Sequence, residues 1–161
     1  MLHDRKVDYL LIGGVNFLLR HEPELTFDVD IWVADTDRNL TKLNDALRDM
    51  EAAWGPSERE WAPVPKKPAW LRSQSVYCLT TAYGALAVFR EVRRLEGKYP
   101  TCKRAAYSAR TAVGVPFTGL SDRHMLACQE ALSPRERKLK RIEILKKAIE
   151  RTLRRSKKTR C

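Results

Sequence analysis

Phe27, Val29, Ile31 and Val33 alternate with Thr26, Asp28, Asp30 and Trp32. A period of two predicts a half-buried strand, with both aspartates leaving one face. Upstream, the apolar run Val7 to Ile12 predicts another strand that ends in Gly13-Gly14. Val15, Leu18 and Leu19 then predict a short helix, stopped by Arg20-His-Glu-Pro23. Leu40, Leu43, Leu47 and Met50, spaced three, four and three, form one face of a helix that starts after Asp35 to Asp37 and closes at Gly55-Pro56. Ser75 to Thr80 and Ala85 to Phe89 predict two strands around a tight Thr81-Ala-Tyr-Gly84 turn.

Beyond that hairpin, residues 105–117 predict one further strand, ending at Val113-Gly-Val-Pro116. Ser121 through Ala131 predicts a helix with Leu120, Met125, Leu126 and Leu132 inward. Ser133-Pro-Arg-Glu136 has the form of a capping box with Pro at the first helical position. The helix it opens carries Leu139, Ile142, Leu145, Ile149 and Leu153 on one stripe and basic residues elsewhere. Residues 51–73 are irregular: Pro56, Pro63, Pro65 and Pro68 exclude a continuous helix or central strand there. Trp54, Trp61 and Trp70 beside Lys66, Lys67 and Arg72 suit either a loop pinned by buried tryptophans, the favoured reading, or bases stacked beside phosphate contacts. The fold class is α+β: a mixed β-sheet backed by helices, with a helical C-terminal part. Residues 1–118 form the sheet-bearing unit and 119–161 the C-terminal helices with a basic tail, packed on the same domain.

The chain of 161 residues is long enough to bury one real core. No apolar run approaches membrane-spanning length, and Met1 to Lys6 lacks the apolar stretch of a secretory leader. Cys78, Cys102, Cys128 and Cys161 make no Cys-x-x-Cys pair, and His3, His21 and His124 do not cluster with them. The expectation is a cytoplasmic protein with free thiols and no membrane partner. Net charge is +11, carried unevenly: Arg135 to Cys161 holds 13 of the 31 basic residues and 3 of the 20 acidic ones. The body before it is nearly neutral. That asymmetry suits a nucleic-acid partner reached through Arg151, Arg154, Arg155, Lys157 and Lys158, or a solvated helix face with a frayed end.

The chemistry lies earlier. Two residues along a strand are roughly 6.6 Å apart, so Asp28 and Asp30 can converge on hard divalent cations. A glycine-rich strand-to-helix turn at Gly13-Gly14 presents backbone N–H groups to phosphate.

Gly-Gly, about a dozen residues, then Asp-x-Asp on a strand resembles the polymerase-β-type nucleotidyltransferase superfamily. The phrase from Tyr9 to Leu47, the segment Thr81 to Phe89 and the Gly119 to Leu132 tail are similar to its small bacterial members, which include toxin-type enzymes of the abortive-infection group. The resemblance spans most of residues 7–150. It implies that Asp28 and Asp30 are the catalytic, metal-holding acids, binding two Mg²⁺ ions with an NTP. It implies that Gly13 and Gly14 hold phosphates, with Thr26 assisting or bracing the strand, and that NMP passes to a hydroxyl. The basic tail favours an RNA acceptor over a small antibiotic.

Four positions depart from the family pattern. Ala87 stands where the third acid usually is, with Glu91 four residues on; Glu24 stands where relatives carry arginine. Gln129 and Lys138 fall near a usual lysine and aspartate. These departures support the alternative, a degenerate nucleotidyltransferase fold that binds nucleic acid or a protein partner, including one half of a toxin–antitoxin pair.

Overall fold

The structure is a computed structural model that describes residues 1–55 and 57–158, with the side chains of Glu58 and residues 156–158 outside the description. Its frame is an eight-stranded mixed sheet: β1 (Tyr9–Ile12), β2 (Asp28–Val33), β3 (Ala53–Trp54), β4 (Ala62–Pro63), β5 (Val76–Thr81), β6 (Gly84–Phe89), β7 (Tyr107–Arg110) and β8 (Pro116–Gly119). The order is β4-β3-β5-β6-β2-β1-β8-β7. β2 runs parallel to β6, and β1 parallel to β8; the other neighbours are antiparallel. The helices are α1 (Gly13–Leu18), α2 (Asp37–Asp49), α3 (Tyr99–Arg104), α4 (Asp122–Ala131) and α5 (Leu139–Lys158). The α+β reading holds.

Two apolar layers sandwich the sheet. Ile31 and Val33 of β2 pack with Leu40, Leu43 and Leu47 of α2 on one face. Trp32 joins Leu10, Phe17, Cys102, Leu120, Met125 and Leu145 on the other. Successive strand residues point to opposite faces, so Asp28 and Asp30 share the Trp32 side, which α1, α3, α4 and α5 cover. The C-terminal helices thus share a core with the sheet, and β8 itself runs through Gly119.

The α2 stripe is buried as its spacing predicts: Leu40, Leu43, Leu47 and Met50 are all core. Thr36 caps this helix, accepting a bond from the Asn39 N–H at 3.3 Å. The helix stops at Asp49, before the expected Gly55 (Pro56 lies outside the described residues), because Glu51 turns left-handed at φ +53° and β3 follows. The described residues of 51–73 hold only two-residue strands and two 3₁₀ turns. Trp54 and Trp70 pack against each other and Tyr77, and Trp70 Nε1 donates to Asn44 at 2.7 Å, which fits the pinned-loop reading; Trp61 remains exposed.

Three expectations are corrected. The single strand at 105–117 is a hairpin, β7 and β8, preceded by the unanticipated α3; Val113 and Val115 lie in its exposed turn. Phe27 is 84% exposed despite its alternation with Asp28, because β2 begins only at Asp28 and the α2 layer covers Ile31 and Val33. The last helix opens at Leu139, not at Pro134. Ser133 and Glu136 do bond, N–H and Oγ to Oε2 at 3.1 and 2.6 Å, but they close an isolated turn. Leu139 is therefore exposed, and Leu145 is the deepest residue of the stripe.

Candidate functional site

Gly13 takes φ +64° at the point where β1 becomes α1. A side chain there would suffer left-handed strain, and its Cβ would fall 1.7 Å from Asp30 Oδ2. Absence of that Cβ is what lets the carboxylate rest on the turn, where the Gly14 N–H donates to it. A Cβ on Gly14 would lie 2.6 Å from Thr26 Oγ1. The two glycines thus seat two different side chains. The Thr26 hydroxyl also donates to the Asp28 carbonyl at 3.2 Å, bracing the start of the strand.

Burial pushes the Asp30 carboxyl up to about 6, and the neighbouring Asp28 charge pushes in the same direction. The Gly14 bond and the more distant Arg141 and Lys138 charges oppose this and do not cancel it. Such a pair is an anionic site only partly compensated by those charges, and a hard cation with open positions would complete the balance. Asp28 and Asp30 are the two oxygen donors that would hold such a cation. Among the described residues, no group of three His, Cys, Asp or Glu side chains comes together.

Ala87 is the cross-strand neighbour of Asp30. In the parallel β2–β6 pair it stands level with Asp30, 4% exposed and on the same face. One strand further, Cys78 is level with Ala87 and exposed. Glu91 lines the same cavity as Asp30, beyond the end of β6.

That cavity, about 370 Å³, runs from Gly13 and Asp30 to α4 and α5. Its walls are mainly apolar, Ile12, Val76, Phe89 and Leu120 among them, and its polar groups include Glu91, Arg93, Gln129 and Arg141. Burial, the main cause, pushes the Cys128 thiol on its wall up to about 12. The volume and mixed lining suit a small organic ligand with one charged end.

Glu24 does not face the carboxylate pair as an unpaired charge. Arg141 grips it with two bonds, Nε at 3.0 Å and Nη2 at 2.7 Å, and Lys138 adds a third. Burial raises the Glu24 carboxyl, but these two cations outweigh it and hold the group below the usual range. Arg141 is 7% exposed and lies over the Phe17 ring, 5.0 Å from its centroid. Sequence reasoning missed Arg141. The available signal was its position four residues before Leu145, on the buried face of α5. Arg90 makes a two-bond pair with Asp35.

Arg151, Arg154 and Arg155 lie exposed on the C-terminal half of α5; the backbone of Lys157 and Lys158 continues that helix, and their side chains lie outside the described residues. At 1.5 Å per residue, Arg151 sits about 15 Å along the axis from Arg141, so the basic end is separate from the carboxylate cavity. No helix among the described residues is long and apolar enough to cross a membrane. No protein-family model matches this chain, and no curated protein matches it either.

Proposed function

We propose that the chain is a Mg²⁺-dependent nucleotidyltransferase that moves an NMP unit from an NTP to a hydroxyl acceptor. The observation carrying this reading is the Asp30 carboxylate seated on the Gly13-Gly14 turn, with Asp28 beside it on the same face of β2. Asp28 and Asp30 would hold the metal. When bound, Mg²⁺ neutralises phosphate charge and acidifies a coordinated hydroxyl.

The protein's own groups have separate tasks. The Gly14 N–H orients the Asp30 carboxylate. Partial burial keeps that carboxylate poorly solvated, which strengthens its hold on a cation. The apolar cavity wall excludes water from one side of the site and offers surface to a base. The exposed basic end of α5 favours an RNA acceptor, held through its phosphates.

A second reading rests on Ala87. Without an acid level with Asp30, the site supports nucleotide binding better than removal of a proton from the acceptor. The chain would then be a binding module for nucleic acid or for a partner protein, as in a toxin–antitoxin pair.

Incubation with labelled NTPs, Mg²⁺ or Mn²⁺ and RNA separates the two. Metal-dependent label transfer that disappears in Asp28→Asn/Asp30→Asn supports the enzyme. Transfer unchanged in that variant overturns the site. Metal-dependent NTP binding without transfer favours the module.

A further inference from the structure

Arg141 is a buried cation with two anionic neighbours at different distances. Glu24 is in contact, and Asp30 is close enough for the Arg141 charge to act on it. Arg141 lines the Asp30 cavity, and it also lines the groove that holds Glu22, Pro23 and Glu24. It therefore stands at the boundary between the two.

The ion pairing at this boundary is unequal. Two cations, Lys138 and Arg141, share the single Glu24 carboxylate. Arg141 therefore faces Asp30 as well, across a cavity whose other charged groups are Glu91 and Arg93. A buried guanidinium favours a second anion, and its planar donors match the oxygens of a phosphate as well as those of a carboxylate. Of the Arg141 donors, Nε and Nη2 bond Glu24, and Nη1 makes no hydrogen bond among the described residues.

We infer that Arg141 and Lys138 form an anion seat for the terminal phosphates of a ligand in the Asp30 cavity, and that Glu24 occupies this seat until the phosphates displace it. The inference deepens the proposed function and rests on its reading that the cavity takes a polyphosphate. In effect the strand-leading segment carries an internal competitor. Polyphosphate binding would free Glu24 and shift the segment that leads to Thr26 and Asp28. Glu24 then selects for ligands with enough negative charge to displace it, so a triphosphate binds where a monophosphate does not.

Calorimetric titration with inorganic tripolyphosphate in the presence of Mn²⁺ tests the seat without a nucleoside. Glu24→Gln keeps the shape and one acceptor but removes the competing charge. It should bind tripolyphosphate about tenfold more tightly than the wild type. Arg141→Gln should weaken binding at least about tenfold, as loss of a charge-assisted contact does. Because Arg141→Gln leaves Glu24 partly unpaired, Glu24→Gln/Arg141→Gln is the companion variant, and it should bind no better than the wild type.

Equal affinity in the wild type and Glu24→Gln overturns the inference, as does a double variant that binds as tightly as Glu24→Gln, or the absence of binding in both wild type and Glu24→Gln. Repetition with ATP and AMP distinguishes the two readings. If tripolyphosphate follows the predicted order and ATP does not bind, the seat stands and the nucleotide reading fails. If ATP binds with Mn²⁺ regardless of residues 24 and 141, the nucleotide reading stands and the seat fails.

Discussion

Asp30 and Ala87 stand level in the parallel β2–β6 pair, on the same face of the sheet, with Ala87 buried. A carboxylate at position 87 would therefore project beside Asp30 in a poorly solvated place. Ala87→Asp should destabilise the metal-free protein by about 2–4 kcal/mol, through burial of a charge beside a like charge. Mn²⁺ or Mg²⁺ should recover most of that loss. Thermal melts with and without metal check this, and a melting temperature that neither falls nor responds to metal would refute the assignment of this row.

The raised Asp30 carboxyl has a definite pH signature. Its folded value of about 6 exceeds the ordinary 3.8, so the folded state binds the proton more tightly. Its contribution to stability is complete below the unfolded value and is lost as pH rises from about 4 to about 6. Asp30→Asn removes the penalty. After discounting for partial exposure, the variant should match the wild type near pH 4 and exceed it by about 1–2 kcal/mol at pH 8. Denaturant melts across this range measure the difference, and a constant difference would count against burial as the cause.

Gly13 and Gly97 share the left-handed backbone, at φ +64° and +67°, but only Gly13 faces a side chain. Gly97→Ala should cost about 1 kcal/mol of conformational strain. Gly13→Ala should cost roughly 1–3 kcal/mol more, because its Cβ displaces the Asp30 carboxylate. It should also abolish any stabilisation by NTP with Mn²⁺, whereas Gly97→Ala retains it. Paired melts with and without ligand report both effects.

Cys78 is exposed and lies in the Asp30–Ala87 row, whereas Cys102 is buried and the Cys128 thiol is pushed up to about 12 by burial. Cys78 should therefore alkylate faster than either of these two thiols at pH 8. A ligand seated over the carboxylate pair should slow its modification several-fold. Mass spectrometry of iodoacetamide-treated protein, with and without NTP and Mn²⁺, tests this; unchanged labelling would place the ligand elsewhere.

Leu145 of α5 is fully buried and joins the Trp32–Leu120 layer. Leu145→Ala should cost about 2–5 kcal/mol, the usual range for a buried leucine. Leu139→Ala, on the exposed first turn, should cost under about 0.5 kcal/mol. Urea unfolding of the two variants would confirm where the helix docks.

Sequence reading succeeded where information was local. The alternation in β2 told that both aspartates leave one face, because successive strand side chains point to opposite sides, but the strand is not half-buried as expected: Ile31, Trp32 and Val33 are all buried, one layer on each face. The three-four-three spacing revealed the buried side of α2 for the same kind of reason. It failed where distant partners decide. The Ser133–Glu136 box looks like a helix start, yet Lys138 gives its N–H to Gln129 Oε1 at 3.1 Å, and helical geometry begins only at Leu139. Phe27 fits an inward position, but no helix reaches it.

What the amino-acid order alone determined is the pair of acids on one strand face and the glycine turn that precedes them, since both follow from backbone geometry over a few residues. Tertiary structure alone decided that Ala87 is the neighbour of Asp30, that Glu24 is held by Arg141 from 117 residues away, and that burial pushes the Asp30 carboxyl up to about 6. Each of these depends on which surfaces meet when the sheet closes under α4 and α5, and burial and charge proximity are set by that meeting.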